Sequence, residues 1–147
     1  MSRRDSREAT VKIIFQNEFI DPRLRTDGFA GEQTSVEDML AMFVSSAEEK
    51  ELKKIDRAFV ADILGKVLDN ISEIDAVISA HIDPDWNIGR LCKVDLAILR
   101  EAIAEIRYFG DIPVSVSINE AVELAKKFSY PEASAFINGI LGSVSRE

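Results

Sequence analysis

Between residues 88 and 109 apolar side chains return every three or four positions. Ile88, Leu91, Cys92, Ile98, Leu99, Ala102, Ile103 and Ile106 form one stripe, and Val94, Leu96 and Ala97 widen it beyond a single face. A helix apolar around most of its circumference is stable in water only when other helices surround it. This segment alone predicts an all-α bundle with a central helix over 88–109. Asp95 falls inside the stripe, where a carboxylate needs a partner, and Arg90 and Arg100 are near in sequence.

The remaining segments agree. Ala9, Ile13, Ile14, Phe15 and Phe19 give 4–20 a helical apolar side, and 21–34 (DPRLRTDGFAGEQT) is rich in turn residues. Ser35, with Glu37 and Asp38 behind it, signals the start of a short helix to about Ser46. Phe59, Val60, Ile63, Leu64, Val67, Leu68 and Ile71 mark a longer helix from about 51, and Ser72 restarts or bends it. DPDWN at 83–87 reads as a turn. VSVSI at 114–118 follows Pro113 and reads as a helix entry, with Ser117 and Glu120 as its capping box. Ser129 and Glu132 repeat that device before a last helix carrying Ala133, Phe136, Ile137, Ile140, Leu141 and Val144. The expectation is one domain over 1–147, with about six or seven helices in a single compact bundle.

Charge narrows the function. The net charge is −8, which argues against a general nucleic-acid binder, because non-specific affinity rests on neutralising phosphates. It leaves room for a local basic patch or for a basic protein partner. The basic residues gather at the start, where Arg3, Arg4, Arg7 and Lys12 face only Asp5 and Glu8. Arginines at a helix N-terminus oppose the helix dipole, the kind of local conflict that function tends to explain. On composition alone, a solvated basic tail is the favoured reading. A single cysteine, Cys92, forms no internal disulfide and suits a reducing cytoplasm. MSRRDSREATVK shows no leader or lipidation pattern, and no apolar run reaches the ~20 residues of a membrane span.

Catalytic patterns are missing. One histidine, His81, stands apart from Cys92, and no nucleophile elbow, zincin helix or phosphate loop is present. His81, Asp83 and Asp85 are metal-ligand types, but a helix end and turn is the favoured reading. Gly139 and Gly142 are read as tight packing. The expectation is no enzyme, no metal and no cofactor.

Three segments carry a resemblance. RRDSREATVKIIFQ (3–16) is similar to an arginine-rich first helix. NIGRLCKVDLAILREAIAEI (87–106) and DIPVSVSINEAVELAKKFSYPEASAFINGIL (111–141) follow longer patterns, of which INEAVELAKKFS with FINGIL is the most specific. Together they resemble the NusB family of transcription antitermination factors over nearly the whole chain. The resemblance implies two helical subdomains. It implies binding to single-stranded boxA-type RNA of nascent ribosomal transcripts, with a basic ribosomal protein acting as NusE, within the RNA polymerase antitermination complex. By matched position, Arg3, Arg4 and Arg7 would contact phosphates. Phe15, Asp95, Lys126, Lys127 and Phe136 would lie on or near the RNA and partner surfaces. Phe136 also sits on the apolar face of its helix, so burial and base stacking both stay open. Two positions depart from the pattern: Val114-Ser115 replaces a frequent Tyr-Lys, and Ala133 replaces a frequent acid. The alternatives are a protein–protein module without RNA binding, including a homodimer, and the NusB-like domain type fused to RNA methyltransferases. No Gly-rich cofactor loop follows the last helix to support the latter.

Overall fold

The computed structural model describes residues 2–28 and 30–147, and among these helices are the only regular secondary structure. Helix α1 spans Arg3–Asn17, α2 Val36–Ser46, α3 Glu49–Leu52, α4 Arg57–Asp69 and α5 Ile71–His81. A 3₁₀ turn at Ile88–Arg90 leads to α6 at Lys93–Tyr108, followed by α7 at Val114–Phe128 and α8 at Ala133–Ser145. The expected all-α bundle is present, but the helix expected from about 51 is divided: α3 is a single turn, residues 53–56 break the helix, and α4 begins at Arg57. Phe29, inside the loop expected over 21–34, lies outside the described residues.

The central helix is α6, against which α1, α4, α5, α7 and α8 all pack. Leu96, Ala97, Ile98, Leu99, Ala102, Ile103 and Ala104 are fully buried. Each large aliphatic contributes about 1.5–3 kcal/mol by leaving water. The expected helix over 88–109 is shorter and divided, since Leu91 and Cys92 are extended between the 3₁₀ turn and α6. Gly89, with its low helical propensity, marks that break.

Both expected capping boxes are corrected. Helix α7 begins at Val114, directly after Pro113, whose φ of −58° already suits a helix start. Ser117 and Glu120 therefore lie within the helix, free to pair with other elements. Helix α8 begins at Ala133 with no side-chain cap. The caps that do form are Ser2 on Asp5 N–H, Ser35 on Asp38 N–H, and Asp56 on the N–H groups of Ala58 and Phe59.

A buried acid organises the loop after α1. Asp21 accepts from the backbone N–H groups of Arg23 and Thr34 and from the Arg23 guanidinium. Burial works against its charge, but these hydrogen bonds outweigh it and hold the carboxyl below its usual range. Gly139 and Gly142 do not mark tight packing. A Cβ at Gly139 would meet nothing within 4 Å, and one at Gly142 only the Arg146 guanidinium at 3.4 Å.

Candidate nucleic-acid interface

The amino end of α1 is held by its cap, by Ser2 N–H on the Lys54 carbonyl, and by Asp56 N–H on Ser6 Oγ. Ala9, Ile13 and Ile14 turn inward, which leaves Arg3 and Arg4 outside. The Arg3 guanidinium lies 4.6 Å from the centre of the Phe59 ring, a cation–π contact. Arg4 makes a two-pronged pair with Glu120 of α7 at 2.9 and 3.1 Å. In the last turn of α7, Lys127 pairs with Glu8 at 2.9 Å and Lys126 with Glu123 at 3.4 Å. Lys12 reaches Glu8 and Glu51. These side chains surround two shallow hollows of about 210 and 340 Å³.

Arg7 is elsewhere. It is only 4% exposed, and its Nε donates to both carboxylate oxygens of Glu105 at 2.8 and 3.0 Å. Ser117 Oγ donates to the same carboxylate at 3.1 Å. Burial opposes the Arg7 charge, yet Glu105 outweighs it and holds the guanidinium above its ordinary range. The phosphate contact expected of Arg7 therefore conflicts with its place in the fold. Its position one heptad before Ile14, which is fully buried, already puts it on the inward face.

A second feature opens beside the α7–α8 turn. Trp86, Tyr130 and Phe136 are 53%, 71% and 38% exposed and line a groove of about 390 Å³. That volume is within the usual range for ligand pockets, ~300–1,000 Å³. Leu91, Cys92 and Ala133 floor it, and Arg90, Asp95 and Glu132 supply its polar groups. Asp95 finds neither of its expected arginine partners and accepts instead from Ser129 Oγ. Burial raises the Asp95 pKa, and the Ser129 hydrogen bond offsets part of that rise. Arg100 turns to the other side of α6, toward Glu18, Asp75 and the Leu24 carbonyl.

The expected site residues thus fall in five places. Arg4, Lys126 and Lys127 share the basic face, Arg3 lies over Phe59 at the amino end of α1, Asp95 and Phe136 share the groove, and Arg7 is internal. Phe15 is half-buried at the far end of α1, edge-on to Phe19 at 5.4 Å. The groove and the basic face meet through one short segment. Lys127 belongs to the face, Ser129 holds Asp95, and Tyr130 lines the groove. Sequence reasoning missed Trp86, Arg90 and Tyr130. The available signal for the two aromatics was a turn-forming proline within two residues, in DPDW and in YP. Of the two departures, Val114 and Ser115 are exposed in the first turn of α7, and Ala133 is buried beneath the groove.

The family model described as the NusB family matches residues 4–146. The chain belongs to the NusB family. It is 43% identical to the transcription antitermination protein NusB of Natranaerobius thermophilus, over the whole of this chain and 96% of that protein. Among solved structures, NusB of T. maritima superposes with a TM-score of 0.78 at 30% identity, covering all of this chain and 92% of that one. A chain from a crystal structure of the antitermination factors NusB and NusE with double-stranded RNA superposes with a TM-score of 0.73. At 22% identity, with 98% of this chain and 96% of that one covered, this NusB likeness is one of fold.

Proposed function

We propose that this NusB-family chain is a cytoplasmic RNA-binding antitermination factor rather than an enzyme. In this reading it binds boxA-type RNA of nascent ribosomal transcripts jointly with a basic ribosomal protein in the NusE role. The observation that carries the reading is the continuity of the basic face with the aromatic groove, across residues 127–130. Single-stranded RNA asks for that combination: cations along the backbone and exposed rings on which splayed bases stack. Phe136, Tyr130 and Trp86 offer the rings, and Asp95, Arg90 and Glu132 offer hydrogen bonds to base edges. Arg3, Arg4, Lys126 and Lys127 would meet phosphates, and Arg7 would not. The role in antitermination carried by the name of the N. thermophilus relative supports the same reading. The acidic net charge of −8 suits a basic partner.

The second reading, a protein–protein module without RNA, draws on the carboxylate partners of Arg4, Lys126 and Lys127. Those pairs are exposed on the cation side, where an ion pair has little net worth and a phosphate competes with a glutamate. Fluorescence anisotropy of a labelled boxA-type RNA, beside a scrambled control, separates the two. Binding is expected to be selective, strengthened by the basic partner and weakened by salt. The slope of log K against log salt should fall by about 0.7 for each cation lost in an Arg3→Ala, Arg4→Ala, Lys127→Ala variant. Equal affinity for both RNAs, with the partner present, would favour the protein-only module.

A further inference from the structure

Helix α6 buries two acids around Arg7. Glu105 takes the cation, accepting from Arg7 and from Ser117 Oγ. Glu101, one turn earlier, is 1% exposed and has no cation of its own. Its Oε2 is one of only two buried side-chain polar atoms without a partner among the described residues. The charged groups facing it are Arg7 from α1, Glu105 on α6 and Glu120 from α7, while Ser117 of α7 reaches Glu105. From α4, the uncharged ring of Phe59 lies beside Arg7. One guanidinium in a dry site balances one carboxylate, and a second ionised acid there carries a heavy desolvation cost. A neutral Glu101 would remove the conflict, because its hydroxyl would then donate to Glu105.

We infer that Arg7, Glu105 and Glu101 form a clamp closed by a proton. Glu101 enters the fold as a neutral acid and hands its hydrogen bond to Glu105. In doing so it fixes the end of α1 that carries Arg3 and Arg4. Loss of that proton as pH rises loosens this end of α1 and weakens RNA binding. Glu101 is thus a positioning residue. Its link to RNA rests on the proposed function, while its proton does not. The direction of the two acids agrees. Burial and the neighbouring Glu105 push Glu101 well above the usual carboxylate range. Glu105, despite burial, is kept below that range by hydrogen bonds from Glu101, Arg7 and Ser117.

The test compares the full chain with Glu101→Gln, which keeps a donor toward Glu105 but never titrates. A proton bound on folding makes the wild-type folding constant fall tenfold per pH unit, relative to Glu101→Gln, above the ordinary carboxylate range. Parallel pH profiles for the two proteins would overturn the proton. The infrared difference spectrum at pH 7 gives a second readout. The carbonyl stretch of a protonated carboxyl should be present in the wild type and diminished in the variant, and identical spectra would overturn the assignment even if Glu101→Gln folded poorly. For the positioning role, affinity for the boxA-type RNA is measured from pH 6.5 to 9.5. Wild type should lose at least tenfold more affinity than Glu101→Gln, and equal losses would overturn the link to α1. No RNA binding by either protein at pH 6.5 would count against the proposed function, and the clamp would still be decided by the folding and infrared results.

Discussion

The interior around α6 and the basic face of α1 and α7 use the same ion pairs in opposite surroundings. Inside, Arg7 and Arg100 each face two acids: Glu105 and Glu101 for the first, Glu18 and Asp75 for the second. Outside, Arg4 pairs with Glu120 and Lys127 with Glu8, and both cations are mostly wet. Arg4 and Arg7 stand one turn apart on one helix. Water makes the difference. The buried pairs cannot exchange partners without leaving a charge stranded in low dielectric. The exposed pairs are weak and exchangeable, which is what a face that must let go of glutamate to take phosphate requires. The two buried clusters also share a device. Among the described residues the orphaned buried oxygens are Oε2 of Glu18, whose other oxygen takes the longer, 3.3 Å contact with Arg100, and Oε2 of Glu101, beside the acid that Arg7 takes.

The largest expected effect tests the dry side. Arg100→Met leaves Asp75 and Glu18 without their cation and the Leu24 carbonyl without its donor. Denaturant unfolding should show a loss of about 3–5 kcal/mol. A cost below about 1 kcal/mol would erase the contrast with the surface.

The next effect is a pH slope. Burial lifts Glu18 from its ordinary 4.5 to about 8, with Arg100 opposing the rise. Folded protein therefore holds a proton there that unfolded chain has released. Stability from this group is fully present below about pH 4.5 and is lost as pH rises toward about 8. Glu18→Gln should flatten the slope by up to about 1.4 kcal/mol per pH unit, read from unfolding midpoints between pH 5 and 8. An unchanged slope would place the Glu18 proton in doubt and leave the cluster charged.

The wet side predicts a smaller, different signature. Arg4→Gln should leave the melting temperature unchanged, yet reduce the salt slope of RNA binding by about 0.7. A clear loss of thermal stability would mean that Arg4 is as structural as Arg7, and the comparison would fail there. The smallest effect lies on α8. Gly139 faces open space in mid-helix, so Gly139→Ala should raise stability by at most about 1 kcal/mol. A drop in RNA or partner affinity, with stability raised, would mark Gly139 as a place of close approach.

Much of this was legible in the residues themselves. The apolar stripe of α6 announced a central buried helix, and Ala9, Ile13 and Ile14 fixed which side of α1 turns inward. The heptad from Arg7 to Ile14 carried the correction about Arg7, had periodicity been set above residue type. Asp95 was recognised as needing a partner, but that partner came from the α7–α8 turn. Ser117 and Ser129 looked like caps because a hydroxyl satisfies a nearby backbone N–H as readily as it donates to a distant carboxylate. Only packing selected between the two. Of the groove, Phe136 and Asp95 were found from the family pattern, whereas Trp86 and Tyr130 lie in turns that carry no periodic signal.

By itself the sequence determined the helical class, the inward faces and the family, because these follow from local periodicity and from motifs read along the chain. The tertiary structure decided which charges are dry and which are wet. It also decided which acid keeps a proton, and that a basic face and an aromatic groove join at residues 127–130. Those properties depend on distances between residues such as Arg7 and Glu105, far apart in the chain, and on the water that packing excludes from between them.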